Sequence, residues 1–169
     1  MKLTFDEFMV KCFLRRGGGA NWEFEYPVDR LLPLIGTLTD DLMRNPDMWD
    51  SDGEPCLLVV KCGSATGTTI GRANGIFSIV REYYSNDMSV NHTSMVWGIL
   101  NYESKSKVFS ESGDSGSAIA DIHGRIGGML TGGSGKTQSF DVTYATPFWW
   151  LLGRIRANGF PNAHLNVVA

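Results

Sequence analysis

Two glycine-rich stretches hold the residue types that could do chemistry. In Ser112-Gly113-Asp114-Ser115-Gly116-Ser117 a serine flanked by glycines precedes the apolar run Ala118-Ile119-Ala120. A sharp turn at that point projects the Ser115 hydroxyl, and the N–H groups of Gly113 and Ser115 then converge on one point as an oxyanion hole. Glycine at 113 matters because a side chain there would resist the backbone orientation and crowd an incoming carbonyl. The competing stretch, Gly132-Gly133-Ser134-Gly135-Lys136-Thr137, has the end of a phosphate-binding loop, in which backbone N–H groups cradle phosphates. That motif needs a glycine where this chain has Leu130, and a helix where Gln138 to Tyr144 is polar and then strand-like. Nucleotide binding is set aside on both counts.

A serine hydroxyl is a poor nucleophile until a neighbouring base takes its proton, and imidazole is the usual one. The chain has 3 histidines, His92, His123 and His164, and none precedes position 92. His123 follows Ser115 along a strand that rises about 3.3 Å per residue, which carries it to the far end of the sheet. His164 lies in a tail beyond Pro161. His92, in a loop before a strand, is the one that could swing toward Ser115, but the hydrogen-bond reach of about 3 Å that catalysis demands counts against it. Asp29 is a tempting acid in the segment before the strands, but without a base it has nothing to orient, and a surface pair with Arg30 is the simpler role.

The elements that must position these residues are mostly strands. Thr4 and Glu7 form a capping box before Phe5, Phe8, Met9, Cys12 and Phe13 at helical spacing. Trp22, Phe24 and Tyr26 alternate with glutamates as a period-two strand. Leu31 to Leu38 is an apolar run interrupted by Pro33 and Gly36, and Thr39 caps a short helical turn. Asp47 to Gly53 is a connecting loop, because a calcium-loop register would put Met48 and Val59 at ligand positions. From Cys56 the spacing predicts strands at Cys56–Cys62, Thr68–Arg72 running on through Ile76–Tyr84, Met95–Tyr102, Ser117–Asp121, Arg125–Thr131 and Asp141–Thr146. Gly71 and Gly75 would bend the long one, and Asp121-Ile122-His123-Gly124 is a tight hairpin. Phe148 to Ala157 predicts a helix, its Trp149, Trp150, Leu151, Leu152 and Ile155 forming an apolar stripe that faces the core.

Composition excludes several function classes. Lys+Arg 15 against Asp+Glu 18 gives a net charge of -3 over 169 residues, with no basic field for nucleic acid or an anionic membrane. Cys12, Cys56 and Cys62 make neither a disulfide framework nor a zinc knuckle, so no metal or other cofactor is expected. Asp6 and Glu7 interrupt any signal-like apolar start, and no run approaches a membrane span. A cytoplasmic or otherwise intracellular protein is the expectation. Asn91-His92-Thr93 has the form of a glycosylation acceptor and is taken as a polar loop.

The order of motifs resembles the trypsin-like (chymotrypsin) serine proteases. Gly113-Asp114-Ser115-Gly116 is followed by a hairpin, then Ile126-Gly127-Gly128-Met129-Leu130-Thr131-Gly132-Gly133, then Val142-Thr143-Tyr144-Ala145-Thr146-Pro147, then a helix. Lys61-Cys62-Gly63 through Gly71 looks like the hairpin that opens the second lobe in some members. The resemblance covers about residues 55 to 160. It implies Ser115 as nucleophile, Gly113 in the oxyanion hole, and Asp114 supporting the nucleophile turn through an ion pair or backbone hydrogen bonds. It also implies a substrate-binding set of Phe109, Thr131, Gly132, Gly133 and Val142, with Phe109 and Val142 at the base and wall of a specificity pocket. That uncharged pair implies a preference for an apolar or small side chain, the alternative being that both are core residues.

The expected fold is therefore mainly β: a six-stranded antiparallel barrel with a C-terminal helix over 55–169, after an irregular segment over 1–54 of short helices, one strand and a linker. The expected function is a truncated or incomplete serine endopeptidase, inactive as this chain because its general-base histidine is missing. The alternative is a non-catalytic, protease-derived binding or interaction module. Its partners would be a peptide or protein substrate if active, and a second copy or another protein covering the cleft face.

Overall fold

The computed structural model describes residues 29, 31–50, 52–83, 91–102, 106, 108–135 and 142–165. The helix expected around Phe5 to Phe13 and the strand at Trp22 to Tyr26 lie outside the described residues. Among the described residues no helix is long and apolar enough to cross a membrane.

Six strands close on themselves. β3 (Pro55–Gly63) and β4 (Gly67–Ala73) form a hairpin, and the ring continues through β6 (Asn91–Asn101), β9 (Val142–Pro147), β8 (Arg125–Ser134) and β7 (Ala118–Asp121), which returns to β3. Every pairing in the ring is antiparallel, so no strand of it needs a crossover helix. The described chain is mainly β, with two short helices: α1 (Asp40–Arg44) and α2 (Phe148–Ala157). Inside the ring Leu57, Ile70, Trp97, Ile99, Phe109 and Ile119 are buried together.

Residues before the ring join the same core. Leu38 and Met43 are fully buried, and burial of such side chains contributes about 1.5–3 kcal/mol each. β1 (Gly36–Thr37) adds a parallel edge to β8, and β2 (Met48–Trp49) pairs with the start of β3 inside the stretch expected to be a plain loop. Thr39 caps α1 as its sequence suggests, its hydroxyl oxygen accepting from the Leu42 N–H at 3.2 Å. Asp29 accepts from the Leu31 N–H at 3.0 Å, a local turn contact.

Three strand boundaries depart from expectation. The long strand through Gly71 and Gly75 is two strands: β4 ends at Ala73, and β5 (Phe77–Tyr83) pairs with β6 alone. Gly75 makes the break, with φ +82 and a Cβ position that would lie 2.6 Å from the Arg44 carbonyl oxygen at the end of α1. β6 starts at Asn91, so His92 stands in a strand rather than a loop. Its first half pairs with β5 and its second half with β9 and β4, which is why one strand needs 11 residues. β8 runs on to Ser134, and residues 132–134 continue the ladder with β9.

The β7–β8 hairpin is locked by Arg125. Its guanidinium donates to buried Asp121 at 2.6 Å and to Asp47 at 2.8 and 2.9 Å, joining the hairpin to the segment before β2. Burial pushes the Asp121 carboxyl up from its ordinary value, against the opposing pull of Arg125. Arg125→Ala is expected to lower unfolding free energy by about 2–4 kcal/mol in urea titration, because Asp121 stays buried without its cation. Arg125→Lys should recover only part, since one ammonium cannot reproduce the fork to both carboxylates.

Candidate active site

The site is built from a buried charge outward. Lys61, in the otherwise apolar run Leu57-Leu58-Val59-Val60, points its Nζ at Asp114 Oδ2 at 2.9 Å, and both side chains are 0% exposed. The remaining capacity of that carboxylate is filled by the turn between β3 and β4. Ala65 and Thr66 donate their N–H groups to Oδ1 at 2.8 and 3.2 Å, and the Thr66 hydroxyl donates to Oδ2 at 2.7 Å. The Glu111 N–H adds a contact to Oδ2 at 3.2 Å. Lys61 also donates to Thr66 Oγ1 at 2.5 Å, and its ammonium lies 5.6 Å from the centre of the Phe109 ring. Burial by itself would push the Asp114 carboxyl up, but the bonds from Thr66, Lys61, Ala65 and Glu111 outweigh it and hold the group well below the usual carboxylate range. The packing allows only glycine at 63, where a Cβ would overlap the Asp114 carboxylate.

This anchor fixes the turn that carries Ser115. The Asp114 N–H bonds to the Glu111 carbonyl, the Ser117 N–H to the Asp114 carbonyl, and the Gly116 N–H to the Leu130 carbonyl of β8 at 2.8 Å. Gly113 has φ +104, a backbone state that L side chains rarely adopt. Ser115 is exposed, and neither its hydroxyl nor the N–H groups of Gly113 and Ser115 hydrogen-bond to any described residue.

Ser115 stands on the wall of a cavity of about 480 Å3 shared with Ser110, Gly132, Gly133, Val142 and Thr143. Thr131 lies on the wall of a neighbouring cavity of about 670 Å3, on the other side of Gly132 and Gly133. Phe109 lines neither. It is fully buried, its carbonyl accepting from the Thr69 hydroxyl at 2.6 Å and its N–H donating to Asn101 at 2.7 Å. The expected pocket base is thus a core residue, and the polar atoms beside Val142 belong to Ser110 and Thr143. For Phe109 the burial matches the alternative left open by the sequence, a core residue.

The imidazoles are elsewhere. His92 lines the neighbouring cavity with its Nδ1 3.2 Å from the Ser94 hydroxyl. Trp97 of β6 is level with Leu130 of β8 across β9, so His92 lies two strands over and five residues along. At spacings of about 4.8 Å per strand and 3.3 Å per residue, that path along the sheet far exceeds hydrogen-bond reach. His123 sits in the β7–β8 turn at the opposite end of β7, its N–H bonded to Asp121 at 3.0 Å. His164 follows α2, exposed.

Lys61 and Thr66 are the positioning residues that sequence reasoning did not connect to Asp114, although it expected an ion pair there. The available signal was a lysine inside an apolar strand, where an ammonium needs a buried carboxylate.

No family model matches the sequence, and no curated protein matches it. Among solved structures the chain is similar to a chymotrypsin from Cellulomonas bogoriensis, at 20% identity and a TM-score of 0.45, over 75% of this chain and 52% of that one. The chain therefore spans about half the length of that chymotrypsin.

Lys61→Met leaves Asp114 buried and uncompensated, and is expected to cost about 3–5 kcal/mol of stability, with the double variant Lys61→Met/Asp114→Asn losing less. Because the folded carboxyl lies below its unfolded value of about 3.9, its stabilisation is complete above that pH and is lost as pH falls through the folded value. Urea midpoints measured against pH should show the advantage of wild type over Asp114→Asn shrinking only below about pH 4.

Proposed function

We propose that this chain carries the nucleophile and carbonyl-polarising half of a trypsin-like serine endopeptidase site, in a form that hydrolyses peptide bonds little or not at all by itself. One observation carries the reading: an exposed serine on a turn whose preceding aspartate is pinned, fully buried, by a fully buried lysine. A buried ion pair is a costly way to hold an ordinary loop, since its desolvation offsets most of its attraction. It is well suited to holding a strained turn in one shape. In that shape Ser115 Oγ would attack a carbonyl carbon, and the N–H groups of Gly113 and Ser115 would donate to the oxygen that becomes negative.

The missing component is a base. All 3 histidines of the chain are among the described residues, and none hydrogen-bonds to Ser115. Ser115 therefore keeps ordinary alcohol reactivity, and a base would have to come from a partner or a further segment. The same observation favours a second reading, in which the cavity binds an extended peptide without cutting it.

A fluorophosphonate probe distinguishes these readings. The isolated chain is expected to label slowly, because general-base assistance of about 10²–10⁴-fold is absent. Added free imidazole should accelerate labelling of wild type and leave Ser115→Ala unlabelled. Rapid labelling without imidazole, abolished by Ser115→Ala, would overturn the missing-base reading. Labelling that imidazole does not accelerate would leave the binding module as the better account.

A further inference from the structure

The cavity beside Ser115 has a chemical character that neither the Ser115 turn nor its anchor dictates. Two hydroxyls meet in its wall: Ser110 Oγ and Thr143 Oγ1 are 2.6 Å apart. Thr143 is 3% exposed and Ser110 half-buried, and neither side chain bonds to any other described residue. One O–H is used between them. The hydroxyl that accepts has its own hydrogen left over, and both oxygens keep lone pairs. The pair thus offers one donor and more than one acceptor to the cavity, with Thr143 itself buried.

Charge around the cavity narrows what can match that pattern. The one ionisable side chain on the described wall is Glu111, which is exposed. The nearby ammonium of Lys61 is already spent on Asp114. An incoming carboxylate would meet Glu111 with no cation on the described wall to answer it, and an incoming ammonium or guanidinium would find no buried carboxylate among the described residues at the hydroxyl pair. An aliphatic or aromatic side chain would expel water from the pair and leave an O–H without an acceptor, a loss comparable to an unmade hydrogen bond. A carboxamide fits both halves of the pattern, since its oxygen accepts the free O–H and its NH2 donates to the lone pairs.

We infer that the Ser115 cavity takes a neutral, carboxamide-bearing side chain, that of Gln or Asn, with the Ser110–Thr143 hydroxyl pair as the group that selects it. The inference rests on the reading of this cavity as the place where a peptide lies against Ser115. It replaces the apolar preference that Phe109 and Val142 implied, because Phe109 is a core residue and Val142 shares its wall with the hydroxyls.

Binding, rather than turnover, is the appropriate readout for a chain without its own base. Acetylated tetrapeptides ending in Gln, Phe, Lys or Glu with a free C-terminal carboxylate would be titrated into the full chain, following the amide resonances of Gly113 and Ser115. The Gln peptide is expected to bind about tenfold or more tighter than the other three, as in sites built to hydrogen-bond a substrate's polar group. Ser110→Ala and Thr143→Val should each remove most of that margin, with unfolding midpoints confirming that both variants remain folded. Preference for the Phe, Lys or Glu peptide, with the two amides shifting, would overturn the carboxamide assignment and leave the peptide site standing. A Gln preference unchanged in both folded variants would also overturn it, by removing the hydroxyl pair from the selection. If no peptide shifts the Gly113 and Ser115 amides, the peptide-site reading itself falls, and the inference falls with it.

Discussion

Lys61 and Asp114 are each fully buried, and neither position is tolerable without the other. An isolated ammonium or carboxylate inside a protein carries several kcal/mol of lost hydration even after relaxation, of the order that would unfold a domain of this size. The pair becomes affordable only because the carboxylate is also saturated by N–H and O–H donors from Ala65, Thr66 and Glu111. The requirement is mutual, and it ties the β3–β4 turn to the turn before β7 across 49 residues of sequence. Without this constraint Gly113 to Ser117 would be a glycine-rich loop with many conformations of similar energy. With it, Asp114 has one place to be, and Ser115, the next residue, is exposed as a consequence.

The ring of strands supplies the other half of the geometry. β7 leaves the turn and pairs with β3, the strand that carries Lys61, so the cation and the residue it holds are set by neighbouring strands. β8 accepts the Gly116 N–H at Leu130, then diverges with a register shift between Leu130 and Gly132. That irregularity is where the strand passes between the two cavities, so Gly132 and Gly133 line both. A bulge re-aims a strand at the cost of a ladder bond, and its position beside Ser115 is where an open wall is needed. Among the described residues, the cavity is thus a product of closure and of one local break in it.

What the sequence made legible follows from which interactions are local. The β-rich ring, the β7–β8 hairpin, the α1 cap at Thr39 and the helix from Phe148 rest on short-range spacing, and their positions were readable to within a few residues. The break at Gly75 was not, because it depends on the Arg44 carbonyl of α1 packing against it, a contact no period-two pattern reports. His92 read as a loop residue because Asn91-His92-Thr93 is polar, yet these residues are the exposed start of a strand whose partner, β5, is exposed too. Within the candidate site, Ser115, Asp114 and Gly113 were singled out from the residue types of their own turn, which is local in sequence. Lys61 was not, since its role exists only through Asp114, far along the chain. Phe109 was left between pocket and core for a related reason: only its bonds to Thr69 and Asn101, distant in sequence, fix it in the core.

The separation of anchor from base has a mechanistic consequence. In a site where the imidazole helps to order the nucleophile, loss of the base also loosens the serine. Here the turn is ordered by Lys61, Thr66 and the Leu130 carbonyl, none of which would take part in proton transfer. On the proposed reading, the Ser115 hydroxyl and the N–H groups that would face a developing oxyanion are therefore held in place by bonds that do not depend on an imidazole. Electrostatic preorganisation of that kind is useful only if it exists before the reacting group arrives, because reorganising dipoles during the reaction would add to the barrier. A partner or segment that brought an imidazole to Ser115 would then need to supply position and a suitable proton affinity, and nothing more. On the same proposal, a peptide bound in the absence of that base would meet the same turn, so binding and catalysis would be two uses of one rigid feature, differing by a proton acceptor at Ser115.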